Sequence, residues 1–178
     1  MLPLLLLLPL ASALPQALPA PTCLDRSLAL KTVTITNAYI NRGSPFQQET
    51  TTVSFSVTTP ALGISAKCNA TSIALTPNGV GSDPYVWYPC DVEENEVEAT
   101  VRFQYDATLN FLTVEGRWVC EGDAWQPRIP IYAEGWNEFE VGTMCVERDG
   151  FSRTCVQEEG GKVEFEVGVV PALRRGGN

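Results

Sequence analysis

The sequence predicts an all-β fold, a compact disulfide-stapled β-barrel or β-sandwich of about eight to ten short antiparallel strands. Segments in which polar and apolar residues alternate recur every ~8–15 residues, which is the spacing of short strands joined by turns. No segment shows a convincing helical period. The chain also contains 6 cysteines, enough for three disulfides.

The first part of the chain contains three predicted strands bounded by turn residues. The second is the clearest, because Val53, Phe55 and Val57 alternate with hydroxyl residues and are expected to point inward. The third leads to Cys68, which directly precedes an N-glycosylation sequon at Asn69, so this edge is expected to be exposed. The three strands are predicted at residues 31–36, 50–59 and 64–68.

A hairpin over residues 97–118 is the strongest local prediction. Apolar residues alternate with polar ones from Val97 to Tyr105, turn-forming residues follow at 106–110, and a second alternating segment returns. The return strand is expected to place one set of residues on one face of the sheet and another set on the opposite face. The first set is Leu112, Val114, Gly116 and Trp118, and the second is Phe111, Thr113, Glu115 and Arg117.

The remaining strands are less regular. A loop is predicted at residues 121–127 and a turn at 134–137, since both contain turn-forming residues. Three further strands are predicted at residues 129–133, 138–145 and 162–170.

Both ends of the chain are expected to lie outside the folded domain. An apolar run that ends in Ala11-Ser12-Ala13 is typical of a secretory signal peptide over residues 1–13. The run is shorter than the ~20 residues that span a bilayer, and no second apolar segment follows, so no membrane span is predicted. Residues 14–22 are expected to form a flexible mature N-terminus, residues 23–171 a single all-β domain, and residues 172–178 a flexible tail.

Composition excludes several kinds of chemistry. With 12 basic and 21 acidic residues the net charge is −9, and the sequence shows no local basic patch, so a nucleic-acid partner is not expected. The chain has no histidine, which excludes Ser-His-Asp and Cys-His catalysis. It also lacks a C-x2-C pair, a Gly-rich phosphate loop and a calcium loop, so we expect no metal and no cofactor.

A pair of carboxylates, as in glycosidases, is the one catalytic arrangement that the composition permits. The candidate acids alternate with apolar residues on predicted strands, which is typical of a solvated sheet face, so an enzyme is not the favoured interpretation. These candidates are Glu96, Glu98, Glu138, Glu140, Glu164 and Glu166.

Four tryptophans divide into two groups. Trp87 and Trp118 lie beside cysteines on predicted strands and are expected in the core. Trp125 and Trp136 lie in predicted loops, where they are candidates for contact with a partner protein or a glycan. Packing over one end of the barrel is the alternative for the second pair.

The order of the cysteines and aromatic motifs resembles the fungal secreted family typified by the major allergen of Alternaria, the Alternaria allergen-like proteins. The matching features are an early cysteine at Cys23, an F-x-V strand before Cys68, a Trp-Tyr-x-Cys motif ending at Cys90, an F-x-Y strand at Phe103 and Tyr105, and a late close cysteine pair.

The resemblance implies the disulfides Cys68–Cys90 and Cys145–Cys155. In that family the first cysteine, similar to Cys23, can link two protomers. This chain departs from the pattern at Cys120, an additional cysteine and a candidate partner for Cys23, which puts a covalent dimer in doubt.

The family resemblance also implies a compact β fold without enzymatic activity, in proteins known as allergens and as elicitors or effectors that act on plants. We therefore expect a secreted, extracellular protein that interacts with a host extracellular or cell-surface protein. A module that binds cell-wall glycan through Trp125 and Trp136 is the first alternative, and a small carboxylate-dependent hydrolase is the second.

Overall fold

The structure, a computed structural model, describes residues 20–44, 46, 49–76, 83–94, 97–122, 128–138, 143–148 and 152–171. These residues form one short helix, a 3-10 turn at Ile73–Leu75 and ten strands. The elements are α1 (Cys23–Leu28), β1 (Thr32–Arg42), β2 (Thr51–Thr59), β3 (Ile64–Ser72), β4 (Tyr88–Val92), β5 (Ala99–Asp106), β6 (Phe111–Glu121), β7 (Arg128–Glu138), β8 (Thr143–Glu147), β9 (Arg153–Gln157) and β10 (Val163–Pro171).

Eight of the strands close into an antiparallel barrel, which decides between the two predicted architectures. Strands β1 to β7 pair in sequence order, β7 pairs with β10, and β10 returns to β1. The hairpin of β8 and β9 lies outside this circle and extends the sheet from β1. The predicted all-β, disulfide-stapled fold is therefore confirmed as a barrel.

Strand β1 has two successive partners along one edge. Residues 32–35 pair with β10 and residues 39–42 pair with β9. On the other edge of β1, the pairing with β2 shifts register between Thr36 and Tyr39. The buried amide of Gln157 lies at the junction, where its Oε1 accepts a hydrogen bond from the Ala38 N–H at 3.0 Å and its Nε2 donates to the Ile35 carbonyl at 3.5 Å. One side chain thus supplies the hydrogen bonds that the interrupted strand pairing leaves unmade.

The barrel interior is filled by side chains. Phe103 is fully buried, its ring centroid lying 5.0 Å from that of Phe55 in an edge-to-face contact and 5.5 Å from that of Tyr88. The space left among Val33, Val57 and their neighbours is about 20 Å³, room for about one water molecule. An eight-stranded barrel is just wide enough for its own side chains, and this one follows that rule.

The helix α1 closes one end of the barrel. It is tethered by the disulfide Cys23–Cys120, and the hydroxyl of the buried Ser27 accepts a hydrogen bond from Trp118 Nε1 at 2.8 Å. Thr22 and Asp25 form a capping box that begins the helix. No helical period marks this helix in the sequence, because six residues are too few to show one.

The cysteines form the three pairs Cys23–Cys120, Cys68–Cys90 and Cys145–Cys155. The second pair joins directly opposed residues of β3 and β4, and the third joins directly opposed residues of β8 and β9. No described cysteine is left over for a link between protomers.

The predicted hairpin is confirmed, and the predicted turn at 134–137 is wrong. Strand β7 runs without interruption through Gly135, which pairs with Val114 on one side and Val167 on the other. A Cβ at Gly135 would lie 2.6 Å from Val167 Cγ1 and 2.8 Å from the Glu166 carbonyl oxygen. Glycine is required here because β10 approaches the backbone closely. In the sequence, a glycine with this role looks the same as a glycine in a turn.

Two other predicted boundaries also change. The first strand continues to Arg42 rather than ending at residue 36. Of the strand predicted at 138–145, Glu138 belongs to β7, residues 143–145 belong to β8, and residues 139–142 lie outside the described residues. The predicted signal peptide and C-terminal tail lie outside the described residues. Within the described part of the chain, no helix has the length and apolar character required to cross a bilayer.

Candidate functional site

The outer face of β5, β6 and β7 carries a cluster of charged residues in strict register. Arg102 of β5 lies opposite Glu115 of β6, which lies opposite Glu134 of β7. Arg117 and Tyr132 form the next pair on the same face; Arg117 lies two residues after Glu115 on β6, and Tyr132 lies two residues before Glu134 on β7. We call these five residues the outer-face cluster.

Glu115 is the centre of this cluster and is only 2% exposed, although it lies on the outside of the barrel. Arg102 binds it with two parallel hydrogen bonds, Nε to Oε1 and Nη2 to Oε2, both of 2.7 Å. Arg117 Nε donates to Oε1 at 2.8 Å, and the Tyr132 hydroxyl donates to Oε2 at 2.9 Å. Four donors thus surround the two carboxylate oxygens, which is close to the full accepting capacity of a carboxylate.

Two opposing effects act on the pKa of Glu115. Burial raises the pKa, whereas the hydrogen bonds from Arg102, Tyr132 and Arg117 lower it, and the net result is a pKa below the usual glutamate range. The same contact raises the pKa of Arg102. Glu115 is therefore ionised at neutral pH and acts as an acceptor only.

Tyr132 joins the two carboxylates of the cluster. Its hydroxyl lies 2.9 Å from Glu115 Oε2 and 2.9 Å from Glu134 Oε2, so one phenolic hydrogen serves two acceptors. Burial, followed by the hydrogen bonds to Glu115 and Glu134, raises the pKa of Tyr132 well above its ordinary value. The phenol stays protonated and keeps its donor role throughout the physiological range.

Arg117 is the member of the cluster that faces solvent. Its side chain is 58% exposed, while its Nε is held by Glu115 and its guanidinium carbon lies 5.5 Å from the centroid of the Tyr132 ring. Within the described residues its Nη1 and Nη2 make no hydrogen bond. The terminal edge of this guanidinium is a planar, oriented pair of donors.

Trp87 lies against the same surface, and its predicted place in the core is wrong. It is half-buried, and the guanidinium carbon of Arg102 lies 4.3 Å from the centroid of its ring. The next residue, Tyr88, packs onto Phe103 inside the barrel, so alternation along the chain turns Trp87 to the outside. Trp118 is buried in the core, as predicted.

A groove of about 390 Å³ borders the cluster. It forms where β5 begins at Ala99 while β6 and β7 continue past it, so that the surface steps down by one strand. Thr100, Arg117, Val119, Pro130 and Tyr132 line it, and Glu98, which is ion-paired with Arg128 at 2.6 Å, lies at its rim. The groove thus combines a largely apolar wall with the donor edge of Arg117.

The residues predicted from the sequence as binding or modification sites do not form one site in the described part of the chain. Asn69 is exposed and lies on β3 opposite Ser54, a position accessible to glycosylation. Trp125 lies outside the described residues. The backbone of Trp136 lies within β7, opposite Thr113 and two residues beyond Glu134, rather than in a loop.

The predicted carboxylate candidates do not form a common site in the described part of the chain. Glu98, Glu164 and Glu166 are exposed. Glu96 and Glu140 lie outside the described residues, and only the backbone of Glu138 is described. No three described side chains of the metal-binding types His, Cys, Asp and Glu come together in a cluster that could hold an ion.

Sequence reasoning missed Glu115, Tyr132 and Glu134 as a group. The available signal was the hairpin register, since a turn at residues 107–110 places Arg102 directly across from Glu115. Opposite charges on facing strand positions are an expected stabilising pair. The register of β7 against β6 could not be assigned, however, while residues 134–137 were interpreted as a turn.

No protein-family model, no curated protein and no solved structure matches the chain. The resemblance to the Alternaria allergen-like family stays a prediction from the sequence motifs.

Proposed function

We propose that this chain is a secreted, non-enzymatic binding protein of the effector or elicitor type, which interacts with an extracellular or surface protein of a host. The outer-face cluster and the adjoining groove form its recognition surface. The observation that carries the proposal is the buried, ionised Glu115, which holds two arginines in fixed positions on the outside of the barrel.

Pre-organisation is the physical reason for this choice. A free arginine loses considerable rotamer entropy when it is immobilised in an interface. Here Glu115 already fixes the guanidinium groups of Arg102 and Arg117 before any partner arrives. Arginine, tyrosine and tryptophan are also the residue types enriched at binding hot spots, and all three occur on this surface.

The surface favours a particular chemistry in its partner. The donor edge of Arg117 fits a carboxylate or a pair of carbonyl oxygens, and the wall formed by Val119 and Pro130 fits an apolar side chain. A protein segment with an apolar residue beside an acidic one offers both features.

The chemistry of Glu115 favours binding over hydrolysis. A glycosidase needs one acid that carries a proton and a second that is free to act as nucleophile or base. Glu115 has a lowered pKa and donors on both oxygens, so it is suited to neither task. The three disulfides are compatible with an extracellular location and support the secretion part of the proposal.

The test is capture from plant extracellular fluid by immobilised, oxidised protein beginning after residue 13. We expect wild type and the matched control Glu166→Gln to capture the same protein, and Arg117→Gln to lose it by at least about tenfold, since a hot-spot arginine contributes ~2 kcal/mol or more. Capture that is equal for wild type and Arg117→Gln would contradict the proposed surface.

Binding to chitin and β-glucan distinguishes the glycan alternative. The observation that favours the glycan alternative is the position of Trp136 on β7, two residues beyond Glu134 of the outer-face cluster. Retention on either polysaccharide that is lost in Trp136→Ala but kept in Arg117→Gln would replace the protein-binding proposal with the glycan one.

A further inference from the structure

A second polar basin lies at the end of the barrel opposite α1. It occupies about 530 Å³ where β1 ends, and polar residues from β1 and from the segments that precede β2 and β9 line it. The lining includes Asn41, Arg42, Glu49, Thr50, Arg148 and Ser152. Barrel mouths are frequent ligand sites, because strand ends and loops converge there around a rigid scaffold.

Arg42 is held at this mouth by uncharged groups. Its Nη2 donates to the Tyr105 hydroxyl at 2.9 Å and to Asn110 Oδ1 at 2.7 Å, while the Tyr105 hydroxyl itself donates to Asn110 Oδ1. Tyr105 is buried in the core, and Asn110 occupies the left-handed region with φ of 55°. The guanidinium is therefore fixed in position by groups that do not neutralise its charge.

Arg148 brings a second positive charge to the basin. Its backbone N–H donates to the Ser152 carbonyl at 3.0 Å, and its side chain is exposed. Neither Arg42 nor Arg148 forms an ion pair in the part of the chain that the structure describes, whereas Arg102, Arg117 and Arg128 all do. The chain has 21 acidic and 12 basic residues, yet the described lining of this basin contains more basic than acidic side chains.

The other residues of the lining indicate which further chemical groups the ligand has, besides an anionic one. Glu49 is the one carboxylate among the described lining residues, and its Oε2 accepts the Ser44 N–H at 2.9 Å. With Arg42 and Arg148, the described lining therefore has a net charge of one positive unit. Thr50, Ser152 and Asn41 add hydroxyl and amide groups of the kind that bind sugar hydroxyls. The volume lies in the range of small-molecule sites and is far larger than a single inorganic anion needs.

We infer that this basin binds an acidic monosaccharide unit, a uronic acid, whose carboxylate lies between Arg42 and Arg148. Arg42 supplies the fixed contact and Arg148 the mobile one. The polar residues of the lining contact the ring hydroxyls. The site is separate from the outer-face cluster, so its ligand and the proposed protein partner bind independently.

The test is a titration of the oxidised protein with galacturonate, glucose and acetate, followed by NMR chemical shifts. We expect saturable binding of galacturonate with shifts at Thr50 and Arg148, and at least tenfold weaker binding of both glucose and acetate. The variant Arg148→Gln is expected to weaken galacturonate binding at least tenfold, and raising the salt concentration is expected to weaken it further.

The matched control is Arg128→Gln, which removes an exposed arginine far from the basin and should leave galacturonate affinity unchanged. The variant Arg42→Lys keeps the charge but loses the hydrogen bonds from Nε and Nη2 that hold the side chain against Tyr105 and Asn110, and it is also expected to weaken binding. Its thermal unfolding reports whether the barrel is intact. Absence of saturable binding, acetate binding as tight as galacturonate, or equal affinities in Arg148→Gln and Arg128→Gln would each overturn the inference.

Discussion

The inner and outer faces of β5, β6 and β7 each contain fully buried side chains, but the energetics of that burial are opposite on the two faces. Inside, Phe103 and Leu112 are fully buried and apolar, so their removal from water favours folding. Outside, Glu115 is buried almost as completely but is charged, so its burial has a desolvation cost that its hydrogen bonds must offset. The inner face therefore stabilises the barrel, whereas the outer-face cluster mainly fixes the positions of its arginines.

The largest expected effect comes from the inner face. The change Phe103→Ala removes a ring that contacts Phe55 and Tyr88 and leaves a cavity in a filled barrel. We expect a loss of ~3–5 kcal/mol in the free energy of unfolding, measured by urea denaturation. A loss below about 1 kcal/mol would mean that the barrel is not closely packed there.

A smaller effect is expected at the buried acid of the outer face. The change Glu115→Gln keeps the shape of the side chain but presents an NH2 group to donors that need acceptors. Because both arginines are partly exposed and can be rehydrated, we expect a loss of about 2 kcal/mol at pH 7. The matched change Glu166→Gln, on an exposed position of β10, should stay within ~0.5 kcal/mol of wild type. Equal effects of the two changes would show that burial of Glu115 is energetically irrelevant.

The pH dependence distinguishes the charge of Glu115 from its shape. Its pKa is lower in the folded protein than in the unfolded chain, so the unfolded state binds more protons at acidic pH. The stabilisation is fully present above the unfolded pKa of ~4.3 and is lost as the pH falls through the folded pKa. The difference in unfolding free energy between wild type and Glu115→Gln should therefore shrink from pH 7 to pH 3. A difference that stays constant would assign the effect to packing.

The smallest expected effect on stability comes from Arg117. The change Arg117→Gln removes one donor to Glu115 but leaves the contacts from Arg102 and Tyr132. Because the Arg117 side chain is mostly exposed, we expect a loss of no more than ~0.5–1 kcal/mol, measured by thermal or urea unfolding. A loss as large as that of Glu115→Gln would make Arg117 a structural residue rather than one available for binding.

The same contrast explains what the sequence could predict. The inner face follows the alternation of apolar residues, so the hairpin of β5 and β6 and the all-β class were predictable from the pattern alone. The pattern assigns every outward residue to solvent, however, and Glu115 becomes buried only through partners on two neighbouring strands. The strand predicted at 129–133 contains Tyr132, but its continuation through Glu134 was hidden, because a glycine needed for close approach of β10 resembles a turn glycine in the sequence.

The central claim is that Glu115 holds Arg117 in place before any partner binds. The most direct measurement is the NMR order parameter of the Arg117 Nε–H bond, compared with that of the exposed Arg148 in the same sample. We predict a value near the rigid limit of ~0.85 for Arg117, a value below ~0.6 for Arg148, and a fall of the Arg117 value toward that of Arg148 in Glu115→Gln. Equal order parameters for the two arginines in wild type, or no change in Glu115→Gln, would contradict the claim.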